Sequence, residues 1–231
     1  MNILIVMRPT FKYDQKAVLL RTVRHYIKKT GATSLLDIGA GDGTLAIPLS
    51  KSVKTYIAVE NNKNNVKKLR EANLRVISGK FPVSIKTTFD MVLISHSLPE
   101  TIGNYKKFLN EAWRKVRNDG LLLIITFKGS NSKLEWLRKK VIGKTNLEDE
   151  KKYNTMINII KKFGVIKTTY VTSKIRSDKE GVMLDILCDS LGVSNKEDKY
   201  RDDIRKIIRR YFKDSHGFIF PTKHIVLTVK K

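Results

Sequence analysis

Apolar residues recur at helical spacing in the first long stretch of the chain. Val18, Leu19, Val23 and Ile27, with Tyr26 nearby, line one face of a helix over residues 13–30, and Gly31 is suited to stop it. The period then changes. Residues 34–38 are a short apolar strand running into Gly39, and residues 44–50 read as the helix that follows. The alternation repeats: a strand at 55–59, a polar helix at 61–72, strands at 74–78 and 89–95, a helix at 105–116, a turn at Asn118-Asp119-Gly120, and a strand at 121–127. The helix at 105–116 carries Phe108, Leu109, Ala112, Trp113 and Val116 along one side. Beyond residue 128 two helical stretches follow directly, 131–142 and 149–163, each running to a glycine suited to a left-handed cap, Gly143 and Gly164. A strand at 167–173, helical sequence at 179–213 with a turn near 192–195, and a last strand at 224–229 complete the pattern.

Strands alternating with helices predict a parallel sheet joined by right-handed crossovers, and the nearly all-apolar fourth and fifth strands belong at its centre. The 231 residues, 41% of them hydrophobic, suit one α/β domain spanning 1–231. Its parts are an N-terminal helix at 13–30, an alternating core at 31–128, and the helices and last two strands at 129–231. No internal repeat or low-complexity linker interrupts it. The single cysteine, Cys188, excludes a disulfide framework and a cysteine zinc site, and its apolar setting reads as a buried structural thiol. The apolar run Met1–Pro9 is too short to span a membrane and has no basic leader, so a cytoplasmic protein without a membrane partner is expected.

The chemistry concentrates in Asp37-Ile38-Gly39-Ala40-Gly41-Asp42-Gly43-Thr44, where the first core strand meets its helix. Glycines there allow a tight turn and the close approach of a ligand. Their spacing excludes two common loops. A dinucleotide loop needs glycine where Thr44 stands, and a P-loop needs Gly-Lys-Ser/Thr. Asp37 and Asp42 suit a ligand with a cationic group better than a phosphate. Glu60 ends the second core strand, where a carboxylate can accept hydrogen bonds from a ribose diol.

Asp37–Gly43 followed by Ala58-Val59-Glu60 resembles motif I and the acidic second-strand residue of class I S-adenosylmethionine-dependent methyltransferases. The resemblance covers about residues 30–128, including Asp90-Met91-Val92-Leu93 and the turn at 118–123. It implies a Rossmann-like α/β fold: seven strands, mostly parallel with an antiparallel last strand, helices on both faces, and the helical insertions after residue 128 as a lid on the acceptor side. It also implies S-adenosyl-L-methionine as cofactor. Asp37, Gly39, Ala40, Gly41 and Gly43 would line its methionine half, Glu60 would hold the ribose, and Asn61 would lie beside the adenine. Lys80 and Phe81 stand where the family reads the base, although the family's usual acid is absent there; Phe81 reads equally as a core residue. Tyr13, with Gln15, precedes motif I at a spacing at which related enzymes fold a segment over the cofactor, or is structural. No metal is implied.

The loop Ser95-His96-Ser97-Leu98-Pro99-Glu100 would face both cofactor and acceptor. The Asn/Asp-Pro-Pro-Tyr element of amino-methylating enzymes that act on nucleic acid is missing from it. His96 is the candidate general base, or a loop histidine with local hydrogen bonds. Glu100 would position an acceptor or cap the next helix, and His216 and Phe218 are remoter candidates. Trp113 and Trp136 read as packing residues. The 46 Lys and Arg against 22 Asp and Glu give a net charge of +24, which attracts anions. The lysines are spread along the chain, as a compositional bias would spread them. Arg201, Arg205 and Arg209 recur on one helical face, either as a phosphate or RNA contact or as a solvated face with Glu197 supporting Arg201. A methyltransferase for a small-molecule acceptor, anionic ones included, is the leading expectation; the alternatives are an RNA or protein methyltransferase and a non-catalytic cofactor-binding subunit.

Overall fold

The computed structural model describes residues 11–127, 132–193 and 198–231. The reading of Met1–Pro9, the far end of the turn at 192–195, and Glu197 lie outside these residues. Nine strands and eight helices are present among them. In chain order they are β1 (Phe11–Tyr13), α1 (Gln15–Thr30), β2 (Ser34–Ile38), α2 (Ala46–Ser50), β3 (Thr55–Glu60), α3 (Lys63–Glu71), β4 (Val76–Ser78), β5 (Phe89–Ser95), α4 (Tyr105–Arg114), β6 (Val116–Thr126), α5 (Lys133–Ile142), α6 (Leu147–Ile160), β7 (Ile166–Ser177), α7 (Glu180–Leu191), α8 (Asp198–Tyr211), β8 (Lys213–Asp214) and β9 (Gly217–Lys230). The seven expected strands are all present. The two additional ones, β1 and β8, are only three and two residues long, too short for a periodic pattern to announce them.

The chain divides into two compact units, each drawn from several segments. Of the described residues, the larger comprises 16–127, 148–171 and 224–231, and the smaller comprises 11–15, 132–147, 172–193 and 198–223. Residues 129–231 therefore contribute to both, because β7 and β9 each continue from one unit into the other.

The larger unit is built on the strand order β7-β9-β6-β5-β2-β3-β4. β5, β2, β3 and β4 pair in parallel, β6 joins parallel to β5, and β9 runs antiparallel to β6. The period of two divides each strand between the two faces of the sheet. Leu36, Ile38, Val92, Ile94, Leu122 and Ile124 pack with α4 and with Met156 and Ile160 of α6. Leu35, Met91, Leu93, Leu123 and Ile125 pack with α1, α2 and Leu69 of α3. The stretch at 149–163, expected among the acceptor-side insertions, thus supplies a helix that covers the sheet. Its apolar side chains are buried there, and Gly164 stands beyond the helix end instead of capping it.

Asp90 fastens the edge of this sheet opposite the glycine loop. Its Oδ2 accepts the Thr33 and Ser34 backbone N–H groups at 2.6 and 3.0 Å and the Thr33 hydroxyl at 2.9 Å. Arg117 lies 2.6 Å from its Oδ1. Burial would raise its pKa, but the hydrogen bonds from Thr33 and Ser34 outweigh burial and hold the carboxyl below its ordinary value.

The smaller unit packs Leu137 of α5, Met183, Leu184, Leu187 and Cys188 of α7 and Ile204 and Ile208 of α8 around Phe212, Phe218 and Phe220. Burial pushes the Cys188 thiol up, as for an inert core thiol. The arginine row of α8 is matched by carboxylates. Arg209 grips Glu180 through two hydrogen bonds of 2.6 and 2.9 Å, Arg205 reaches Glu180 and Asp202, and Arg201 reaches Asp185 at 2.8 Å. The row is therefore a seam between α7 and α8. Trp136 packs edge-on to Tyr211 and Phe212 in this unit, and Trp113 stacks on Phe163 in the larger one, both as packing residues.

Replacing Asp90 with Ala removes the acceptor of the Thr33 and Ser34 N–H groups and the partner of a half-exposed arginine, and is expected to cost about 1–2 kcal/mol in denaturant unfolding. Because the folded pKa is depressed, the wild-type contribution is present above the ordinary carboxylate range and is lost as pH falls through the lowered value. The variant's stability should accordingly depend less on pH at the acidic end.

Candidate functional site

The strand order reverses at β2, with β3 on one side and β5 on the other. In open α/β sheets such a reversal opens a crevice beyond the carboxyl ends of the strands, where ligands bind. The chain places two loops there: residues 39–45 after β2 and residues 96–101 after β5.

The glycines of the first loop do different work. Gly39 has φ +79°, and a Cβ there would collide with Ser97 Cβ, because the Ser97 hydroxyl donates to the Ile38 carbonyl and draws the second loop across the first. Gly41 has φ +66°, and nothing lies within 4 Å of where its Cβ would be. That space is open to a ligand. Gly43 packs against Ile47 and Leu69 instead of lining the opening, and Ala40 is buried in the core.

Glu60 is 6% exposed and binds this loop to the end of β3. Its Oε2 accepts the Gly41 N–H at 2.7 Å, and its Oε1 accepts the Asn61 and Asn62 N–H groups at 2.9 and 2.8 Å. A carboxylate has about four lone-pair positions. Three are engaged, and the fourth, on Oε2, remains for a ligand hydroxyl beside Gly41.

Asp37, 2% exposed, lies on the sheet face covered by α1 and accepts the Tyr56 hydroxyl at 2.6 Å. Burial raises its pKa to about 6, against the opposing effects of the Tyr56 hydrogen bond and the Lys16 charge, while Glu60 adds to the rise. Lys16 also lies 3.9 Å from Asp42. Asp42 turns inward to its own loop by accepting the Thr44 N–H at 3.1 Å.

In the second loop His96 takes a left-handed backbone, φ +53°, uncommon for a residue with a side chain. Its N–H donates to the Ile125 carbonyl at 2.9 Å. Its Nε2 lies 3.1 Å from Nδ1 of His224 on β9, and Phe127 packs on both rings. Desolvation of the ring, then the charges of His224 and Lys16, hold its pKa below the ordinary imidazole value. Ser95 ends β5 beside Ile125.

Other expected site residues fall elsewhere. Phe81 is a core residue: its ring is buried edge-on to Phe108, because the chain after β4 turns back into the apolar layer over α4. Lys80 is exposed at that turn, Asn61 is exposed at the end of β3, and Glu100 is exposed before a 3-10 turn at Ile102–Asn104, where it caps no helix. Tyr13 belongs to the smaller unit. It ends β1 opposite Ile175, with its hydroxyl bonded to Ser173 and Thr222, and burial raises its pKa despite those bonds. Phe218 is core in that unit, and His216 is exposed in the β8–β9 turn. Sequence reasoning missed His224, Phe127, Lys16 and Tyr56, whose partners lie far along the chain. Among the described residues no three His, Cys, Asp or Glu side chains gather as metal ligands would, and no helix is long and apolar enough to cross a membrane.

Residues 36–124 match the family model described as a methyltransferase domain. A candidate methyltransferase from Bacillus halodurans is similar in structure, with 16% identity, 92% of this chain and 98% of that chain covered, and a TM-score of 0.57. The YcgJ protein from Bacillus subtilis is similar at 17% identity, 92% and 97% coverage and a TM-score of 0.58. An O-methyltransferase from Bacillus cereus, solved in complex with SAH, has 11% identity, 92% and 80% coverage and a TM-score of 0.51. No curated protein matches the sequence. With the reversal at β2 and the loop joined to Glu60, the match defines residues 36–124 as a class I, Rossmann-like methyltransferase domain. Residues 36–124 are thus similar to a methyltransferase domain, and the chain shares the Rossmann-like fold of these solved structures.

The residues present fit S-adenosylmethionine, the cofactor that the sequence resemblance implies: open space over Gly41, a lone-pair position on Glu60, and a buried carboxyl at Asp37. A ligand ammonium near Asp37 favours its carboxylate form. Binding of S-adenosylhomocysteine is thus expected to tighten as pH rises from 5 to 6 and to level off above about 6. Calorimetry across that range would check this; in Asp37→Asn the dependence should flatten.

Proposed function

We propose that this chain transfers the methyl group to a small anionic acceptor by in-line displacement. The observation that carries the reading is the convergence, at one reversal of strand order, of the open position over Gly41, the Glu60 carboxylate and the clamped loop holding His96. Glu60 accepts a ribose hydroxyl at its remaining lone-pair position and keeps Gly41 in place while doing so. Asp37 faces the amino-acid end of the cofactor as a carboxylate at neutral pH. The bound cofactor supplies a methyl group already activated by sulfonium charge. The remaining task of the protein is to hold an acceptor atom in line with that carbon, an effect that can supply roughly 7–11 kcal/mol. Ser97 and the His96 backbone do this by tying the acceptor-side loop to β2 and β6. His96, neutral at neutral pH, serves as general base.

The net charge of +24 favours an anionic acceptor. It also supports RNA as a second reading. The small acceptor is preferred because the one arginine row is matched by carboxylates of its own unit.

Gly41→Asn tests the cofactor site cleanly. Asn tolerates a left-handed backbone, and its Cβ meets no protein atom within 4 Å. The variant should fold with a Tm within a few degrees of wild type yet bind S-adenosylhomocysteine at least about tenfold more weakly by calorimetry, a loss of roughly 1.4 kcal/mol or more. Unchanged affinity would place the ligand elsewhere. For the acceptor, methyl transfer to small anions should change little between 50 and 200 mM salt, whereas transfer to RNA through 6–10 phosphate contacts would fall by roughly 10³–10⁵ in affinity over that range.

A further inference from the structure

In the sequence His224 is simply the first residue of the last strand's apolar run. In the fold it is 0% exposed, and its Nδ1 lies 3.1 Å from His96 Nε2, across 128 residues of chain. Phe127 completes a three-ring cluster, with its centroid 4.3 Å from His96 and 5.0 Å from His224, and is itself 42% exposed. His96 is held from three sides: its N–H on β6, its neighbour Ser97 on β2, and its Nε2 on β9. A left-handed backbone on a side-chain-bearing residue is strained and persists where surroundings impose it. Simple packing needs neither that strain nor an imidazole against an imidazole.

We propose that His96 and His224 form one proton-handling pair, in which buried His224 accepts the Nε2–H of His96 and so leaves His96 Nδ1 as the lone pair that receives a proton from an acidic hydroxyl, of phenol or enol type, on the acceptor. This rests on the methyl-transfer reading above. His224 is a positioning residue. Its Nδ1 selects the tautomer of His96, and once His96 is protonated the same hydrogen bond becomes charge-assisted and stronger. The groups that face His96 decide the acceptor class. His224 on β9 and Lys16 on α1 are the ionisable groups that act on it most among the described residues. An ammonium acceptor would meet the Lys16 charge and a net charge of +24. A developing oxyanion is stabilised by both. In the step, the acceptor O–H bond breaks and its proton goes to His96 Nδ1. The oxygen electron pair forms the bond to the methyl carbon, and the C–S bond breaks with its pair returning to sulfur. The proton then leaves to water from His96, which is exposed to solvent as a residue.

The test uses the full chain, 15N-labelled, as wild type, His224→Phe, His224→Asn and His96→Gln, free and with S-adenosylhomocysteine. Long-range 1H–15N spectra of the imidazoles read the tautomer. Methyl transfer from labelled S-adenosylmethionine is followed from pH 5.5 to 9 with phenol, 4-nitrophenol and n-butylamine as probes. The wild type should show His96 as the Nε2–H tautomer and should methylate the phenols, not the amine. His224→Phe should give mixed tautomers, a shifted pH profile and a kcat about tenfold lower at unchanged cofactor KM, the scale of one hydrogen bond. His224→Asn, which keeps an acceptor near the Nδ1 position, should recover most of both. His96→Gln should lose about 10²-fold on phenol and less on 4-nitrophenol, which is already ionised at alkaline pH. A His224→Phe protein with wild-type tautomer and pH profile overturns the pair. Transfer to the amine, or to no phenol while S-adenosylhomocysteine binds, overturns the acceptor class. Failure to bind S-adenosylhomocysteine sinks the methyl-transfer reading instead, and the free-protein spectra still decide the pair.

Discussion

Three backbone N–H groups converge on the carboxylate of Glu60, and the site takes its shape from that convergence. Two come from the chain leaving β3 and one from the glycine loop leaving β2, so a single buried charge ties two crossovers together at the reversal point of the sheet. The loop has little else to hold it open. Gly41 has no neighbour where its side chain would be, and Gly39 is crossed by Ser97. Hydrogen bonds to an ionised acceptor are stronger than neutral ones, and an unpaired buried carboxylate would be costly. The loop and the carboxylate therefore stabilise each other before any ligand arrives.

Around this fixed point the ionisable groups are sorted by burial. Asp37 is buried against Tyr56 and ionises only near pH 6, so a cationic ligand finds a group whose charge it helps to establish. Lys16 acts on Asp37 and His96 alike and so links the glycine loop and the loop after β5 electrostatically. The large positive net charge is otherwise spread over the surface, and its most regular feature, the arginine row of α8, is absorbed in ion pairs with α7. Exposed pairs of this kind contribute little stability singly, but Glu180 serves two arginines and orients the helices.

The fold class was legible because it rests on short-range periodicity. Strands β2 to β6 announce themselves by apolar runs between helices, and Gly31 and Gly143 mark helix ends through their left-handed conformations. Motif I was legible for a related reason: Gly39 and Gly41 meet local backbone demands, and Glu60 stands a readable distance further on. Phe81 was ambiguous because an aromatic residue at the edge of a sheet suits either a base or a core, and only the direction of the chain after β4 chose the core. The division of residues 129–231 between two units was hidden because β7 and β9 each run through both.

The sequence by itself determined the alternating α/β order, the glycine loop after the first core strand and the carboxylates Asp37 and Glu60 beside it, since each depends on residues within a turn or one crossover of each other. Only the tertiary structure decided which side chains meet across the crevice. His224 reaches His96 over 128 residues, and Asp90 reaches Thr33 over 57. The same distinction settles the arginines of α8, whose spacing shows a face but not the carboxylates of α7 opposite it. Periodicity encodes which face of an element is buried; the partner on that face is set by sheet order and crossover direction, which no local pattern carries.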